Sequence, residues 1–72
     1  MRSFDDDQGQ HWQAALLEAS FGSVMLIFSR IGGGGVLHAP LDTANFSEAE
    51  QWLAGADEGA LKDWLAKAEP WV

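Results

Sequence analysis

The sequence predicts an α+β domain: an antiparallel meander of three or four strands followed by two short C-terminal helices packed on one face. Three observations carry that expectation. Val24-Met25-Leu26-Ile27-Phe28 is a short apolar run bounded by turn residues, the pattern of a strand buried on both faces. Two successive helix start signals, each followed by a 3.6-residue apolar stripe, come after Phe46. Gly, Asp and Ser cluster between the earlier segments at hairpin spacing. The 72 residues make one domain, with 1–42 the meander and 46–69 the helix pair.

Taken in order, Ser3–Gln10 reads as a short strand entering a turn, where Asp bonds its own backbone and Gly takes positive φ. The segment from Trp12 to Ala19 supports two readings. As a helix, Trp12, Ala15, Leu16 and Ala19 fall at i, i+3, i+4 and i+7, and Ala, Leu, Gln and Glu favour that state. As a strand, Trp12, Ala14 and Leu16 share one face, and the run pairs with Val24–Phe28 across a turn at Ser20–Ser23. The turns on either side suit a meander and favour the strand. In the central strand, Val24, Leu26 and Phe28 face one way and Met25 and Ile27 the other. Gly32–Gly35 reads as a flexible connection to a returning strand, Val36–Leu41, which Pro40 marks as an edge or an end.

Ser47-Glu48-Ala49-Glu50 reads as a capping box, with Ser47 as the cap. Ala49, Trp52 and Leu53 form the stripe of that first helix, and Gly55 suits its C′ position. Asp57 caps a second helix whose stripe is Leu61, Trp64, Leu65 and Ala68, and Pro70 stops it. Trp64 and Leu65 are expected to be buried against Leu26 and Phe28, and Trp71 to fold back over the core.

A chain this short buries only ~60% of the surface its unfolded form exposes, so it needs dense packing or a partner. Cys is absent, which removes disulfides and thiolate metal sites, while four Trp and four Phe offer the packing. Eleven acidic against four basic residues give a net charge of −7. That balance disfavours nucleic acid and anionic membrane surfaces, and favours cationic partners. The N-terminal residues lack the apolar core of a signal peptide and no run is long enough to span a bilayer, so the expected location is cytoplasmic.

Phe4-Asp5-Asp6-Asp7-Gln8-Gly9-Gln10-His11-Trp12, then Ser20-Phe21-Gly22, Leu26-Ile27-Phe28-Ser29 and the closing Ala68-Glu69-Pro70-Trp71 together resemble a group of short bacterial proteins of unknown function. The shared features are aromatic anchors and turns rather than catalytic groups. The resemblance implies a compact domain that opens with a hairpin, which supports a strand over Trp12–Glu18. It implies no activity, cofactor or catalytic residue.

No motif for chemistry is complete. Asp5, Asp7 and Gly9 start like a calcium loop, but Leu16 stands where the bidentate Glu belongs. Gly32–Gly35 lacks the Lys-Ser/Thr and the following helix of a phosphate cradle. His11 and His38 could meet across strands near Asp7 or Asp42, yet their spacing fits no zinc motif. Glu18 and Asp42 are a conceivable carboxylate pair, and Trp52, Trp64 and Trp71 a conceivable cation cage. Solvated turns, surface imidazoles and core packing account for each of these more simply. The expected function is therefore a non-enzymatic protein-interaction module without cofactors, self-associating or binding a protein partner through Met25, Ile27, Leu17 and Ala15. The alternative is an acidic binding protein or inhibitor for a basic partner or cationic ligand.

Overall fold

The computed structural model describes residues 2–18 and 23–70. Strands β1 (Arg2–Asp5), β2 (His11–Glu18), β3 (Val24–Arg30) and β4 (Val36–Leu41) precede helices α1 (Phe46–Gly55) and α2 (Glu58–Lys67). A two-residue strand β5 (Glu69–Pro70) follows. The sheet is antiparallel throughout, in the order β1-β2-β3-β4-β5. The meander and helix pair are as expected. The sequence reading stops at four strands and carries the helix pair to residue 69. Instead the second helix ends at Lys67, and Pro70, unable to continue it, pairs with Leu37 while Glu69 pairs with His38.

Segment 12–18 is a strand. Its register sets Trp12 against Phe4 in β1, and Ala14 and Leu16 against Phe28 and Leu26 in β3. That face holds the core: Phe4, Trp12, Ala14, Val24, Leu26, Phe28, Ala39 and Leu41 are buried, together with Ala49 and Leu53 of α1 and Leu61 of α2. Phe4 meets Phe28 edge to face at 5.8 Å, a favoured aromatic geometry. Ala14 opposite Phe28 makes room for the larger ring. Trp64 and Leu65 do pack on the cluster that contains Leu26 and Phe28, but both stay half-buried, and the completely buried anchor of α2 is Leu61. The Ser20–Ser23 turn, but for Ser23, and Trp71 lie outside the described residues.

Two helix ends differ from expectation. The cap of α1 is Asn45, not Ser47: the Glu48 amide donates to Asn45 Oδ1 at 2.8 Å, and Glu48 Oε1 accepts from the Ala44 amide at 3.4 Å. The box is displaced by two residues because Phe46 takes the first helical position, half-buried against Val24, Leu41 and Ala49. Gly55 is the last helical residue, and Ala56 ends the helix in extended conformation with its amide on the Leu53 carbonyl. The end is completed from elsewhere: Arg2 Nη1 donates to the Leu53 and Ala54 carbonyls at 2.7 and 3.3 Å. A cation on those carbonyls suits the negative end of the helix dipole. Asp57 caps α2 as expected, accepting from the Ala60 amide at 2.8 Å. Asn45→Ala should accordingly cost about 0.5–2 kcal/mol in a urea melt, with Ser47→Ala close to neutral. The reverse ranking would return the cap to Ser47.

Candidate functional site

Strand pairing assigns the remaining side chains to the sheet's other face. Ala15 faces Ile27, which faces His38; Leu17 faces Met25, which faces Pro40; Gln13 faces Ser29, which faces Val36. The four residues singled out from the sequence, Ala15, Leu17, Met25 and Ile27, therefore lie side by side on two adjacent strands. Among the described residues no helix covers them, because α1 and α2 both pack on the opposite face. Leu17 and Val36 are 44% and 40% exposed, and Ala15, Met25 and Ile27 are half-buried. A shallow concavity of about 410 Å³ runs over Ala15, Leu17, Ile27 and Val36, with Leu16 at its margin. Sequence reasoning missed Val36 and Pro40 as part of this surface. The signal was the alternation with buried Ala39 and Leu41 in the same strand.

One end of this face is polar. His11 Nδ1 and Asp5 Oδ1 form a cross-strand pair at 2.5 Å, both well exposed. His11 and His38 do not converge. Strand β3 separates their strands, and His38 lies level with Ala15, four residues or about 13 Å along β2 from His11. Glu18 and Asp42 do not converge either: Val24 of β3 stands between Glu18 and Leu41, so the backbones of Glu18 and Leu41 lie about 10 Å apart across the sheet, and Asp42 follows Leu41.

The acidic turn between β1 and β2 is held by Asp6. Its Oδ1 accepts from the Gln8 and Gln10 amides at 2.8 and 2.9 Å, and its Oδ2 accepts from Trp12 Nε1 at 2.9 Å. Gly9 completes the turn at φ 82°, which a side chain would oppose. The Trp12 bond, helped by the two amides, holds the Asp6 carboxyl below its ordinary value. A carboxylate with depressed folded-state pKa stabilises above its unfolded pKa, and that contribution is lost as pH falls through the folded value. Wild-type melting temperature should therefore drop on the acid side of the carboxylate range. Asp6→Asn should melt lower at neutral pH and show a flatter acid limb. Parallel acid limbs in the two proteins would remove Asp6 from the linkage.

Asp7 bonds Lys62 Nζ at 3.1 Å, and Glu58 lies 3.6 Å from the same nitrogen. These contacts, Asp7 first, raise the Lys62 pKa. Among the described residues no three His, Asp or Glu side chains converge as a metal-holding group.

The glycine tetrad is shaped rather than loose. Gly32, Gly33 and Gly34 all have positive φ, and Arg30 Nε donates to the Gly33 carbonyl at 3.0 Å while Nη1 donates to Gln10 Oε1 at 3.2 Å. A Cβ on Gly34 would collide with the Arg30 guanidinium. The loop thus wraps an arginine of its own strand. Trp52 and Trp64 meet edge to face at 6.0 Å, and Lys67 Nζ sits 5.5 Å from the Trp64 ring centroid, so one face of the supposed cage holds a cation of this chain. All four cationic side chains are engaged internally: Arg2 on α1, Arg30 on its loop, Lys62 on Asp7, Lys67 on Trp64.

No helix among the described residues is long and apolar enough to cross a membrane. Comparison with known proteins finds no matching family model, no matching curated protein and no matching solved structure.

Proposed function

We propose that this chain is a small, non-enzymatic protein-interaction module of the cytoplasm that docks through the outer face of its sheet. The supporting observation is the contiguous strip of Ala15, Leu17, Met25 and Ile27, extended by Val36, with both helices on the far side. Leaving large apolar side chains in water forgoes about 1.5–3 kcal/mol for each one that could be fully buried. A second copy placing the same strip against this one by a two-fold axis is the simplest closure. Sedimentation equilibrium over a wide concentration range should then show a dimer. Ile27→Asp should abolish it while the helical circular dichroism persists. A wild-type protein that stays monomeric throughout would remove self-association.

A second reading, an acidic binding protein for a basic partner, draws on a separate observation. With every Lys and Arg committed to a group of its own chain, the net charge of −7 is presented to solvent almost wholly by carboxylates. Apolar closure and acidic capture differ in salt response, since screening weakens only the latter.

A further inference from the structure

The chain carries eleven acidic residues, yet none of the described side chains that β2, β3 and β4 place on the outer face is a carboxylate. Glu48, Glu50, Glu58 and Asp63 belong to the helices, which pack on the other face. Glu18 lies opposite core-facing Val24 and so shares that other face. Asp5 and Glu69 reach the outer face only from the marginal strands β1 and β5, opposite His11 and His38. A basic partner would find little to hold on such a surface. A second copy meets it with most of a net charge of −7 turned away, which closure between two like-charged molecules requires.

One titratable side chain stands inside the apolar strip. His38 is half-buried, directly opposite Ile27, level with Ala15 and two residues after Val36. Ala15, Ile27 and Val36 all line the outer concavity. Directly opposed side chains in an antiparallel pair have Cβ atoms about 5 Å apart, so a copy that buries Ile27 also covers His38. Imidazole changes charge between about pH 5 and 8, and removal from water disfavours its charged form. Across from His38, β3 presents Ile27 and β5 presents the exposed carboxylate of Glu69, while both helices lie on the other side of the sheet. An exposed carboxylate is screened by water and offsets little of that desolvation. His11 stands apart from the strip, well exposed beside Asp5 at the far end of the face.

We propose that His38 is a proton gate on self-association through the outer face: neutral, it is covered by the second copy, and protonated, it releases that copy. This rests on the outer-face reading above and adds its regulation. Association is complete above the imidazole range and is lost as pH falls through it. Filling both imidazoles also takes the net charge from −7 to −5, one unit for each His, and this acts in the opposite direction. That effect is long-range, and physiological salt screens it beyond about 8 Å. The desolvation of His38 is local and escapes the screening.

The test is sedimentation equilibrium at physiological salt, at about pH 8 and about pH 5.5, which bracket the imidazole range. The wild-type dissociation constant should rise roughly tenfold or more at the lower pH, since each dimer covers two imidazoles. His38→Gln, uncharged at both, should dimerise equally at both, and His11→Gln should keep the wild-type response. A second measurement needs no variant. In the wild type, the titration midpoint of the His38 ring protons should move to lower pH as concentration is raised, with that of His11 unmoved. Far-ultraviolet circular dichroism should be the same at both pH values; its loss at the lower one would make the response unfolding and overturn the gate. A dimer equally strong or stronger at the lower pH would overturn the gate and leave the outer face as the docking surface. A pH response that survives in His38→Gln, or vanishes in His11→Gln, would overturn the assignment to His38. A wild-type protein monomeric at both pH values would overturn self-association and the gate together.

Discussion

Phe28→Ala is expected to abolish cooperative unfolding. Phe28 lies midway along the central strand, wholly buried, between Ala14 of β2 and Leu37 of β4, with the Phe4 ring against its edge. Removing a buried Phe costs about 3–5 kcal/mol, partly as lost transfer energy and partly as the cavity left behind. Collapse around that cavity is restricted here. The residues beside it are strand positions held by ladders on both sides, and Ala14 has only a methyl group, too short to fill it. Since whole domains are stable by about 5–15 kcal/mol, and one this small stands at the low end, the loss is comparable to the total. Near-ultraviolet circular dichroism during heating checks it. A sharp transition near the wild-type midpoint would show that the core's centre lies elsewhere.

Leu61→Ala should have the next largest effect, about 2–5 kcal/mol. Leu61 is the one residue of α2 that is completely buried, and it belongs to the same cluster as Phe4, Trp12 and Phe28. Its removal loosens the helix from the sheet while leaving every strand pairing formally intact. The Trp52–Trp64 contact links α2 to α1, so both helices should loosen together. In a urea titration, tryptophan emission should shift to longer wavelength at lower denaturant than in the wild type. An unchanged midpoint would mean that α2 is held mainly by its half-buried residues Trp64 and Leu65.

Elements whose apolar spacing matches their final geometry were legible from the chain. The central strand, the Asp57 cap and the second helix stripe are of this kind. Segment 12–18 was legible only through its neighbours. Its residues favour a helix locally, but Trp12 and Ala14 are buried only if side chains alternate, and pairing on both sides decides for the strand. The cap at Asn45 was obscured because Ser47–Glu50 also satisfies the capping pattern, and burial of Phe46 chooses between them. Strand β5 carried no signal, since two residues have no period to read. Of the outer face, Met25 and Ile27 followed from alternation alone, while Ala15 and Leu17 depended on the strand reading. The register between β1 and β2 could not be inferred, because it depends on where the turn's bonds fall on Asp6 and Gln10.

The short return of the chain at β5 also shields one margin of the sheet. Glu69 and Pro70 occupy the margin of β4 at Leu37 and His38, and the part of β4 beyond them contains Pro40, which has no N–H to give. The described sheet is therefore a poor template on its β4 side: a further strand laid there meets a margin already occupied at one end and short of a donor at the other.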